Sequence, residues 1–187
     1  MPETLQLVYW DNPVLSTVCT PVADSAFGAD KLRDFAARLL ATMDAKNGVG
    51  LAAPQVAVTE RMFAMHFPNS EQDREPWKPI VVINPTLELN GGTVAAREGC
   101  LSLPGVFEQV ARAENVVMRY RDADGDELVR ELTEIDARVA QHEFDHLNGI
   151  MFFDYLNIRP TYGRRMSKQV SKQVMRMWEK ERSRRGL

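Results

Sequence analysis

The chain is poor in reactive side chains: two cysteines, Cys19 and Cys100, and three histidines among 187 residues. Two thiols cannot build the disulfide framework of a small secreted scaffold, so each is read as a thiol with its own role or none. No stretch stays free of charge for the roughly 20 apolar residues of a membrane span, which excludes a helical membrane protein. The opening "MPETLQLVYW" carries Glu3 and lacks a basic stretch ahead of an apolar one, which argues against a secretory leader. Internal repeats and low-complexity segments are missing too. A cytoplasmic protein with one ordinary domain is the expectation, since 44% hydrophobic and 26% charged residues suffice for a real core.

What is present is first a split of charge. From Arg159 onward there are ten Lys or Arg and two Glu, a net +8, against −11 for the rest of a chain whose total is −3. Residues from about Thr161 to Arg184 put Met166, Val170, Val174 and Met177 on one helical face with Lys and Arg around them. The reading is a body, 1–158, and a basic amphipathic C-terminal helix within 159–187. That helix either docks on its own acidic body or faces a polyanion such as nucleic acid. Nothing points to sequence-specific DNA or to a membrane.

Residues 30–46 repeat apolar side chains at Leu32, Phe35, Ala36, Leu39, Leu40 and Met43, the stripe of one helix, stopped by Asn47-Gly48. "GVGLAAPQ" (48–55) is too small and Gly-rich for an ordinary strand or helix and reads as an irregular turn that something approaches closely. "RMFAMHF", "PIVVINP", "GVFEQVA" and "NVVMRYR" read as short strands, and "DADGDE" (122–127) as a hairpin turn before "LVREL". "PNSEQDREPWK" between the first two is an exposed loop. A second helix spans 134–147, ended by Asn148-Gly149. The class is α+β: antiparallel β-sheets around this second helix, flanked by the N-terminal and C-terminal helices.

That second helix carries two of the three histidines. Ile135, Val139, His142 and His146 form one line along it, so the imidazoles continue a core stripe. Residues four apart differ by about 40° in direction, which aims both rings at one point. Glu143 lies about 100° round from His142, within reach of a water held there. The spelling is HExxH. A catalytic metal site needs a third protein ligand and an open position. His66, Asp154 and Glu179 are conceivable third ligands, and Cys100 in "REGCLSLPG" is the strongest, because flanking glycines would expose its thiol.

Taken together, "GVGLAAPQ", "EGCLSLP" and "QHEFDHLNG" resemble the three motifs of peptide deformylase, in that family's order, and the resemblance runs from about Val8 to Phe153. It implies Cys100, His142 and His146 as ligands of one divalent ion, ferrous iron natively, with zinc, nickel or cobalt as substitutes. It implies Glu143 as proton carrier, and the Gln55 amide and Leu101 N–H as donors to the oxygen of a formyl group. Main-chain groups of Val49, Gly50 and Gly99 would pair with an N-formylmethionyl peptide, and Ile135 and Val139 would line its methionine pocket. Arg138 falls in the helical turn facing that pocket, and Glu98 is a candidate orienting acid. The basic tail would then meet a ribosome. Two other readings stand beside this one: a different HExxH metallopeptidase, and a non-enzymatic ribosome-associated module with a structural metal.

Overall fold

The computed structural model describes residues 2–67 and 78–156. The tail assigned to 159–187, Glu179 with it, and nearly all of the loop 68–78 lie outside the described residues. Helix α1 (Asp30–Ala45) and helix α2 (Glu134–Leu147) match the two periodic stripes. Between them in sequence come β1 (Gly50–Ala52), β2 (Met62–Met65), β3 (Ile80–Cys100), β4 (Leu103–Arg121) and β5 (Glu127–Thr133). These pair in sequence order as one five-stranded antiparallel sheet, so the expected plural sheets are a single one among the described residues.

The sheet has helices on both sides, and β2 shows why. Its four residues, "MFAM", are all buried. Because side chains alternate along a strand, Met62 and Ala64 join Leu32, Leu39 and Met43 of α1, while Phe63 and Met65 join Ala137, Ala140 and Leu147 of α2. An uninterrupted apolar run is what a strand covered on both faces requires.

Three strand expectations change. "GVGLAAPQ" is not wholly irregular: Gly50–Ala52 pairs with β2, and only Ala53–Val56 turns, as a short 3-10 segment. Strand β3 continues well past "PIVVINP", pairing with β4 from Ile83 to Cys100 across three register shifts. Much of that hairpin is exposed, so it carries no apolar alternation to read. "GVFEQVA" and "NVVMRYR" are halves of one strand, β4. The hairpin at 122–127 forms as expected, with Asp122 Oδ1 accepting from the N–H groups of Asp124 (2.9 Å), Gly125 (2.9 Å) and Asp126 (3.0 Å).

Candidate metal centre

Helix α2 buries eleven of its fourteen residues, seven of them polar or charged. His142 and His146 face one another with ring centroids 5.0 Å apart. Cys100, the last residue of β3, comes to them from the sheet: its Sγ lies 3.3 Å from His146 Nε2. One donor atom from each of Cys100, His142 and His146 falls within 4.8 Å of the others. Cys100 is 9% exposed, so the expectation of an exposed thiol is corrected. It ends β3 on the inner face of the sheet, where the packing that brings it to the histidines also covers it. His66 and Asp154 are not brought into this cluster; the Asp154 carboxylate instead accepts from Met151 N–H at 2.9 Å.

The second nitrogen of His142 is tied down. Nδ1 lies 3.0 Å from Glu98 Oε2, and a carboxylate acceptor there makes Nδ1 the protonated nitrogen, leaving the Nε2 lone pair as donor. Glu98 is itself gripped by two guanidiniums. Arg112 donates to both of its oxygens at 2.9 Å, and Arg138 to Oε1 at 2.6 Å. Arg112 also reaches Asp145, whose other oxygen accepts from Tyr155 OH at 2.9 Å. Two buried acids thus face two buried guanidiniums, which is how buried charge is tolerated. Burial favours a protonated Glu98, but hydrogen bonds from His142 and Arg112 outweigh it and hold the carboxyl down to about 2. Burial pushes His142 down, but its bonds to Cys100 and Glu98 prevail and carry it up to about 10, so an ion taken up at Nε2 would displace a proton from that nitrogen. Burial, reinforced by the charges of His142 and Arg112, holds His146 well below the usual imidazole range.

Glu143 lies beside the cluster, 4% exposed, with Oε2 making no hydrogen bond among the described residues. Burial lifts its carboxyl to about 7 against the pull of His142. The close approach expected at the glycine turn is the approach of this side chain: a Cβ on Gly50 would come within 2.7 Å of Glu143 Cδ. Gln55 is 1% exposed and held at both ends of its amide. Its Oε1 accepts from Ala52 N–H at 2.7 Å, which turns Nε2 toward Cys100 Sγ (3.4 Å) and Ser102 Oγ (3.2 Å). The N-terminal segment crosses both motifs, with Val8 N–H on the Gln55 carbonyl and Trp10 N–H on that of Ser102, each 2.9 Å.

A cavity of about 470 Å³ opens onto this cluster. Val49, Gly50, Gly99, Ile135 and Val139 all line it, as do Gln55, Leu101, Cys100, His142 and Glu143; His146 is not among its lining residues. Arg138 also reaches its wall, clamped by Glu98 and by the carbonyls of Val110 (2.8 Å) and Val94 (2.6 Å). Sequence reading missed Arg112, Asp145, Ser102 and Tyr155. Asp145 had a faint signal, a carboxylate inside the HExxH turn, whereas Arg112 had none, since it sits among the alternating residues of a long strand.

One sulfur and two imidazole nitrogens, with the far nitrogen of one ring anchored on a carboxylate, fit a divalent transition-metal ion. An HExxH helix against an antiparallel sheet, with that donor set beside a buried glutamate, defines a metal-dependent hydrolase. The family model described as Polypeptide deformylase matches residues 4–160. A peptide deformylase of Borreliella burgdorferi is 33% identical over 173 residues, covering 92% of this chain and 96% of the relative. The crystal structure of the Thermotoga maritima peptide deformylase superposes with a TM-score of 0.74 at 36% identity, over 82% of this chain and 97% of that one. A Met-Ala-Ser-bound class I type b peptide deformylase of Acinetobacter baumannii gives 0.75 at 34% identity, over 83% and 99%. The chain belongs to the peptide deformylase family.

Proposed function

We propose that this chain hydrolyses the N-formyl group of N-formylmethionyl peptides, releasing formate and a free amino terminus. The observation that carries this reading is the cavity in which the buried Glu143 stands beside the Cys100, His142 and His146 donors. A divalent ion held by those three residues supplies positive charge that acidifies water and polarises a carbonyl. Glu143 accepts the proton of the attacking water and passes it to the leaving nitrogen as the formyl C–N bond breaks. A buried carboxylate whose Oε2 makes no hydrogen bond among the described residues is free to do both. The Gln55 Nε2 amide and the Leu101 N–H donate to the formyl oxygen as it gains charge; such a donor is worth ~2.7–4 kcal/mol. Gln55 suits this because Ala52 N–H already occupies its oxygen. Main-chain groups of Val49, Gly50 and Gly99 bind the peptide backbone, and Ile135 and Val139 hold the methionine side chain. A neighbour bound to Met-Ala-Ser supports a peptide of that kind as ligand.

Ferrous iron is our choice of native ion, and zinc, nickel and cobalt suit the same donors. The cytoplasm is the proposed compartment; no helix among the described residues is long and apolar enough to cross a membrane. The ribosome is the proposed site of action, met through Arg164, Arg165, Lys168, Lys172, Arg176 and Lys180 of the tail, and co-sedimentation with ribosomes is the measurement that bears on it.

Formate release from formyl-Met-Ala-Ser tests the reaction. Glu143→Ala should lose on the order of 10²–10⁴-fold in rate while retaining its metal. An active variant would show that another group carries the proton.

A further inference from the structure

The cavity wall holds three basic side chains with different fates. Arg138 is spent on Glu98 and two carbonyls, and His142 on Glu98 and the donor cluster. Arg97 makes no ion pair among the described residues. Its guanidinium is stacked on the Phe107 ring, 4.7 Å from the centroid. Glu98 is buried and neutralised, and Glu143 is 4% exposed, so the uncompensated charge at the cavity mouth is positive.

Position on the sheet says what that charge would meet. Strand β3 pairs with β2 only as far as Ile83, and beyond it has β4 on one side and, among the described residues, an open edge on the other. A peptide paired along that edge at Gly99 runs beside Arg97, which lies two residues earlier on the same face of the strand. At about 3.3 Å per residue that offset is about 7 Å, or two residues of an extended peptide. Phe107 stands directly opposite Gly99 and covers it: a Cβ on Gly99 would lie 2.7 Å from Phe107 Cδ1. The ring that closes over the peptide-pairing glycine is therefore the ring that holds Arg97 in place, at low entropic cost for a long side chain.

We infer that Arg97, positioned by Phe107, selects peptides with an acidic side chain at the second or third residue after the formyl group. The inference rests on the reaction proposed above and adds a preference in sequence to it. An exposed pair of this kind is worth about two- to five-fold, and it is screened by salt.

The test compares kcat/KM for formyl-Met-Glu-Ser with formyl-Met-Lys-Ser, and for formyl-Met-Ala-Glu with formyl-Met-Ala-Lys, using the metal-loaded full chain. At low ionic strength the acidic peptide should win by about two- to five-fold in at least one pair, mainly through KM. The ratio should fall toward one in about 0.5 M salt and in Arg97→Gln, and Arg97→Lys should keep part of it. Phe107→Leu should reduce the ratio without removing it. Equal rates for all four peptides, a basic preference, or a ratio unchanged in Arg97→Gln would overturn the inference and leave the reaction standing. Failure to hydrolyse any formyl-peptide would remove the reaction and this preference with it.

Discussion

The two α-helices among the described residues are of similar length and pack against opposite faces of one sheet, yet they are held by different forces. Helix α1 buries Leu32, Ala36, Leu39, Thr42 and Met43 and leaves its charged residues in water. Its place is set by apolar area removed from water, which tolerates exchange among residues of similar volume. Helix α2 is buried nearly all round, and besides Ala137, Val139, Ala140 and Leu147 it buries Asp136, Arg138, Gln141, His142, Glu143, Asp145 and His146. Each such polar group costs free energy unless partnered, so α2 is docked by directional bonds added to its apolar contacts. Gln141 alone accepts from Ala113 N–H and donates to Ala113 O, both at 3.0 Å. The difference teaches where chemistry can be built: a helix docked by grease is replaceable residue by residue, and one docked by charge holds rings and carboxylates at fixed angles.

The contrast is broken most severely at Glu98. Glu98→Ala leaves Arg112 and Arg138 buried without their shared carboxylate and frees the His142 ring, so it should cost about 3–5 kcal/mol in denaturant unfolding. Metal affinity should fall about 10–100-fold, read by competition with a chelator. On α1, Leu39→Ala removes a side chain with 0% exposure and should cost about 3 kcal/mol, within the usual range for a cavity, while leaving metal affinity unchanged. If both substitutions lowered metal affinity alike, the two docking modes would not be separate.

The gentlest test is acid. Glu98 is held down to about 2 in the folded chain, below its ordinary value, so the stability it contributes is complete above that ordinary value. This contribution declines as the pH falls from there toward 2. Between neutrality and pH 4 the loss amounts to about 1 kcal/mol or less, visible as a difference in slope between the native chain and Glu98→Gln in urea titrations. Identical slopes would place the acid sensitivity in other carboxylates.

How much of this was legible beforehand follows the same line. Both helices were readable from their stripes, with ends within a residue of those observed. The HExxH pair and Glu143 were readable because a helix fixes the angle between residues four apart. The outer half of β3 was not, because an exposed hairpin needs no apolar alternation, and its pairing partner lies in another stretch of chain. The same holds for Arg112, which becomes meaningful only when β4 lays it against Glu98 and Asp145.

By itself, then, the sequence determined the local geometry: two helical faces, a turn built on Asp122, and two imidazoles aimed at one point. These depend on backbone periodicity, which is complete within a dozen residues. Only the tertiary structure decided that Cys100, rather than His66 or Asp154, joins those imidazoles, and that Glu98 and its two arginines stand behind one of them. Such choices depend on sheet register and helix docking. Those bring together residues dozens of positions apart, and no short-range pattern encodes them.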